Sequence, residues 1–165
     1  MGHMLASTTT VAEPIEVNGI GLREATFKAV PDPETNFTLF NPVLAAEGHR
    51  TLMTGACVLL ARIRPNVDVS LAIGEICSKH GIRKANVYGI GSLNEVRFID
   101  GSQVDSHATE VSVQSGNVES TDGQLRTRLV VDVVDMKGAI FSGELAEGDN
   151  PVCVTFELVI EAIED

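Results

Sequence analysis

The chain has 165 residues, enough for one domain with a single substantial core. Its 12 Lys and Arg against 23 Asp and Glu give a formal charge of -11, a surface that a nucleic-acid duplex repels unless the few basic residues cluster, and along the sequence they do not. With 44% hydrophobic and 21% charged residues the composition is that of a soluble globule, and no apolar run approaches the ~20 residues that cross a bilayer.

Residues 1 to 18 are rich in Ser, Thr, Ala and Glu without periodicity and read as a tail. Its opening "MGHM" looks like a cloning remnant, so His3 is set aside and a longer natural protein is expected. There is no charged-then-apolar signal segment, and the expected location is the cytoplasm. Residues 19 to 54 read as an extended N-terminal arm. In "ATFKAVPDPETNFTLFNPV", Pro31, Pro33 and Pro42 exclude a helix and argue against a central strand. Phe37, Leu39 and Phe40 are expected to pin this arm onto the domain or a neighbouring subunit.

The compact domain is expected over residues 55 to 165. "ACVLLARIR" reads as a strand that Pro65 ends. Asp68 can cap a helix, because its carboxylate accepts hydrogen bonds from the first free N–H groups. Val69, Ala72, Ile73, Ile76, Cys77 and His80 then recur at helical spacing, and Gly81 suits a left-handed stop. His80, in the last turn, reads as a partner of the helix dipole rather than a catalytic base. Everything after Gly81 reads as strand: "KANVYGI", "NEVRFID", "ATEVSVQSG", "QLRTRLVVDVVD", "AIFSGEL" and "VCVTFELVIEA". In the last, Val152, Val154, Phe156, Leu158 and Ile160 alternate with Cys153, Thr155, Glu157, Val159 and Glu161, the period of a sheet with one buried face. The short turns "TDG" and "MKG" favour antiparallel neighbours. The expected class is α+β, a mostly antiparallel sheet of about seven strands packed by one main helix.

Cys57, Cys77 and Cys153 form no CxxC pair, and their apolar neighbours suggest three buried small hydrophobes in a reducing compartment. Gly89 and Gly91 follow an apolar run, but a dinucleotide fingerprint needs a third glycine where Asn94 stands, and a helix where "NEVRFID" alternates like a strand. There is no GxxxxGK[ST], GxSxG or HExxH either. The carboxylate runs "DVVD" and "EAIED" read as strand faces and a solvated end rather than acid/base pairs. No cofactor is implied, and the residues argue against an enzyme.

The helix ending "SKHGI", then "GIGSLNEVRF", "TEVSVQSG" and "VVDMKGAIFSGELAEG", resemble in order the landmarks of the plants-and-prokaryotes-conserved domain (PPC, or DUF296). The resemblance spans Gly55 to Ala162, and "DPETNFTLF" with "NPVCVTFELVIE" is similar to the second copy in bacterial proteins that carry two such domains. It implies an antiparallel sheet packed by a helix and assembled as a homotrimer, with the glycine segment joining two strands by a tight bend and a close backbone approach.

Many prokaryotic members carry a His-x-His strand and a later Gly-Gly-His, three imidazoles that look like a metal site. The resemblance places Arg128, Leu129 and Val130 at the first motif and Ser142, Gly143 and Glu144 at the second, so all three histidines are replaced. His49, His80 and His107 match none of these positions, and His107 is expected to be exposed. No metal is expected. Arg128 and Glu144 would face one another as an ion pair; alternatively, Arg128 could hold an anionic or polar metabolite with Glu144, Asn94 or Arg97 at its edge.

Three functions follow. The first is a non-catalytic homotrimeric binding or assembly module with itself, other proteins or a small polar ligand as partner, and with no membrane. The second is a small-molecule site or enzyme at the trimer interface. The third is DNA binding, by family label only: the AT-hook core Arg-Gly-Arg-Pro of plant relatives is absent, and "HATEVSV" stands where they have Gly-Arg-Phe-Glu-Ile-Leu.

Overall fold

Residues 7–16, 19, 21–22, 24–45 and 57–163 are described by the structure, a computed structural model. His3, His49 and the expected boundary between residues 54 and 55 lie outside the described residues. In chain order the elements are β1 (Ala25–Pro31), β2 (Thr38–Leu44), β3 (Val58–Ile63), α1 (Val69–Lys79), β4 (Lys84–Leu93), β5 (Val96–Arg97), β6 (Gln103–Val104), β7 (Thr109–Thr121), β8 (Gln124–Asp135), β9 (Ile140–Glu144) and β10 (Val152–Ala162). The fold is α+β, mostly antiparallel sheet with one helix among the described residues.

The period-two segments pair into a six-stranded antiparallel sheet in the order β3-β10-β4-β7-β8-β9. Two of its connections are the short turns expected from the sequence. Asp122 and Gly123 join β7 to β8 with φ of 53° and 80°, the left-handed pair that a tight hairpin needs. Between β8 and β9, Asp135 Oδ1 accepts the N–H groups of Lys137 and Ala139, each at 2.8 Å. Along β10, Phe156, Leu158 and Ile160 are fully buried on the inner face. A register shift between Val152 and Phe156 breaks the strict alternation at the strand's start.

Helix α1 covers the inner face. Asp68 caps it as expected: the Leu71 N–H donates to Asp68 Oδ1 at 2.8 Å. Val69, Ala72, Ile73 and Cys77 are buried, whereas His80 is the exposed C-cap residue and does not share that face. Gly81 follows at φ 69°. No helix among the described residues is long and apolar enough to cross a membrane.

Three expectations are corrected. "NEVRFID" is not one strand: Val96–Arg97 pairs with β6 and Phe98 makes only an isolated bridge to Leu145, while the Asn150 side chain holds the Arg97 backbone. Gly89 and Gly91 lie inside β4 rather than at a bend between strands. Of the cysteines only Cys77 is buried, its thiol pushed up by burial; Cys153 is half-buried and Cys57 exposed.

The arm contains an antiparallel hairpin, β1 against β2, with Ala29 opposite Phe40 and Phe27 opposite Pro42. Its loop is held by Asp32, whose Oδ2 accepts from the N–H and hydroxyl of Thr35 at 3.0 and 2.9 Å. These bonds hold the Asp32 carboxyl below its usual range. Asp32 also approaches Arg62 at 3.6 Å, and both strands lie against β3. Of the three expected anchors only Leu39 is buried, at 6% exposure and apart from the contiguous core. Phe37 and Phe40 remain 58% and 53% exposed: Phe37 lies in the loop before β2, and Phe40, next to Leu39 in the strand, points to the opposite face, which it shares with exposed Ala29.

Candidate functional site

The glycines of β4 serve packing. A Cβ at Gly89 would stand 2.6 Å from the Glu157 carbonyl oxygen and 2.7 Å from Leu158 Cδ2; at Gly91 it would stand 2.6 Å from the Phe156 ring and the Thr155 carbonyl oxygen. Phe156 therefore lies flat against bare backbone, which only glycine permits. With no helix N-terminus after them, these glycines do not form a phosphate cradle.

On the other face of the same strands the register aligns Arg62, Glu157 and Ile90 in one row, and Leu60, Val159 and Tyr88 in the next. No helix covers this outer face among the described residues, and β4 runs near its middle. Tyr88 is 43% and Ile90 62% exposed. The Tyr88 hydroxyl donates to Glu161 Oε2 at 3.2 Å; burial first, then this carboxylate, pushes the Tyr88 pKa up. Glu157 accepts the Thr155 hydroxyl at 2.9 Å, and burial pushes its carboxyl up, with Arg62 acting in the opposite direction.

Farther along the outer face Arg128 and Glu144 close an ion pair, Nη2 to Oε2 at 2.7 Å, which holds the Arg128 pKa above its ordinary value. Glu144 lies opposite Val130 in the β8–β9 ladder, so Arg128, Val130 and Glu144 share one patch. A guanidinium and an isopropyl group cannot ligate zinc, and the one carboxylate already accepts from Arg128, so these side chains do not fit a zinc ion. No group of three His, Cys, Asp or Glu is placed to hold a metal among the described residues.

Asn94 and Arg97 are brought together elsewhere. They line a cleft of about 270 Å³ with Glu95, His107, Asp149 and Pro151, and neither Arg128 nor Glu144 belongs to it. Arg97 is engaged by Glu95 at 2.7 Å and Asp105 at 3.5 Å, while Asn94 Nδ2 donates to Asn66 Oδ1 at 3.2 Å. An incoming anion would compete with two carboxylates for one guanidinium. Fully buried Asn150, between the lining residues Asp149 and Pro151, fixes the Arg97 backbone: its Oδ1 accepts the Arg97 N–H at 2.9 Å and its Nδ2 donates to the carbonyls of Arg97 and Ala146 at 3.1 and 2.7 Å. A second open cleft, of about 350 Å³, is lined by Arg83, Lys84, Glu119 and Ser120.

Sequence reasoning passed over Tyr88, Ile90, Arg62, Glu157 and Asn150. The signal for the first two was present: "NVYGI" is apolar on both faces of the strand, the mark of a strand covered on both sides.

A family model described as the Plants and Prokaryotes Conserved (PCC) domain matches residues 52–164. Among solved structures, a plant- and prokaryote-conserved protein from Pyrococcus horikoshii is similar at 23% identity and TM-score 0.54, covering 70% of this chain and 85% of its own. A candidate DNA-binding protein from Bacteroides thetaiotaomicron matches at 20% identity and TM-score 0.56, over 66% of this chain and 80% of its own. A metal-containing protein from Archaeoglobus fulgidus matches at 17% identity and TM-score 0.53, over the same shares. These likenesses are of fold. No match was found among curated proteins.

Proposed function

The chain belongs to the Plants and Prokaryotes Conserved domain family, and on that premise we propose that it is a non-catalytic, homotrimeric binding and assembly module of the cytoplasm. The observation that carries this reading is the uncovered outer face of the sheet, with Tyr88 and Ile90 exposed on an interior strand. An apolar centre on a sheet face calls for a cover, and one helix can supply it on one side only. The three-histidine metal arrangement that the family resemblance implies is replaced here by Arg128, Val130 and Glu144, which favours a scaffold over metal chemistry. Loss of ligands does not erase the patch, and a small anionic or polar ligand at a subunit boundary is the second reading; the cleft beside Asn94 and Arg97 could seat a polar ligand, whereas an anion there would have to displace Glu95 and Asp105 from Arg97.

DNA binding is the least supported reading. The -11 charge opposes a duplex, so affinity at ~150 mM salt should be weak and unspecific. Light scattering at micromolar concentration tests the main reading. The expected mass is three times the 17.6 kDa of one chain, and a monomer would contradict it.

A further inference from the structure

The hairpin turns its more apolar face to solvent. Phe27, Ala29, Phe40, Pro42 and Leu44 share one side by register; all but half-buried Phe27 are exposed, Leu44 at 85%. The opposite side holds Leu39 and Val30 and meets β3, with Asp32 reaching Arg62. The loop end is thus docked on its own domain, while a continuous apolar strip faces away from it. Such strips are rarely left in water.

We propose that this strip docks on the outer sheet face of a second copy of the same chain, over Tyr88 and Ile90. Each copy carries both halves of the contact, an exposed hairpin face and an exposed sheet centre that its own hairpin leaves open. Charge favours the same occupant. In a chain of net charge -11, β1 and β2 hold no carboxylate, and their one charged side chain is Lys28. The strip therefore brings no carboxylate of its own against an acidic copy, Asp32 and Glu34 of the hairpin lying in the connecting loop. Donor and acceptor surfaces differ, so the contact is head-to-tail, and head-to-tail contacts close into rings when the rotation permits. The inference rests on the homotrimer reading and assigns its joint to the hairpin.

The test uses exposed positions, where substitution leaves the fold intact, as a thermal melt of each variant verifies. Phe40→Asp with Leu44→Asp should disable the donor and Ile90→Asp the acceptor. Sedimentation velocity should show the wild type as a trimer and each variant at one third of that mass. Mixed one to one, the two variants should pair as a heterodimer, since each retains the half that the other lacks. A donor variant that stays trimeric overturns the hairpin contact and leaves the assembly reading standing, with the strip then covered by another segment of a longer chain. A monomeric wild type overturns both. Monomeric variants that fail to pair on mixing overturn the donor–acceptor match.

Discussion

The β1–β2 hairpin and the β4–β10 pair are built from the same material, antiparallel strands with apolar residues at alternate positions, and they end in opposite situations. In β4–β10 the apolar side faces α1, and Phe156 lies on Gly89 and Gly91 with no exposed surface. In the hairpin the more apolar side faces out, and only Leu39, on the other side, is buried. Alternation says that a strand has two unlike faces; it does not say which one the rest of the chain will cover.

The largest expected effect removes the ring on which the sheet core is built. Phe156→Ala should cost about 3–5 kcal/mol in a urea melt, the range for a fully buried aromatic, while Phe40→Ala should change the stability of the dissociated chain by less than about 0.5 kcal/mol. Comparable losses at the two phenylalanines would break the contrast. Gly91→Ala comes next. Its Cβ would meet a backbone carbonyl that cannot retreat, so the loss should reach about 3 kcal/mol, the upper end for overpacking. Gly74→Ala in α1 is the control, since the Thr127 hydroxyl lies 3.7 Å away, an ordinary contact, and alanine is the better helix former by about 1 kcal/mol.

On the hairpin side, Leu39→Ala should cost about 2 kcal/mol, the low end for a buried leucine, because it lies apart from the main core. Deleting residues 1 to 44 should lower the melting temperature or weaken the assembly, whereas deleting residues 1 to 18 should do little. A longer deletion that melts and sediments like the full chain would reduce the arm to a linker. The smallest effect is electrostatic. Burial raises the Glu157 carboxyl above its unfolded value, so the folded state holds its proton more tightly and the cost of ionising it is fully present above the folded pKa. Glu157→Gln should therefore raise the melting temperature at pH 8, and the gain should vanish as pH falls through the carboxylate range. A pH-independent difference would assign the effect to packing.

How much of this was legible beforehand follows the reach of each interaction. β8, β10, the capped helix and the two short turns were readable because periodicity and turn chemistry are local. "NEVRFID" was misread as a strand because its backbone at Arg97 is held by Asn150, more than fifty residues away, through two hydrogen bonds that no local pattern announces. The glycines were rightly denied a phosphate, but their partner Phe156 lies across the ladder in β10. The Arg128–Glu144 pair was foreseeable from the positions that the family resemblance assigns to the two residues; that Asn94 and Arg97 line a different cleft was not.

Tyr88 is the only tyrosine in a chain without tryptophan, so its emission reports on the outer sheet face alone. Acrylamide quenching of that emission across a dilution series tests the central claim, that another copy covers this face. The account predicts a shielded Tyr88 at high protein concentration that becomes freely quenched on dilution, in step with the fall in sedimenting mass. A Tyr88 equally open to quencher at every concentration would contradict it.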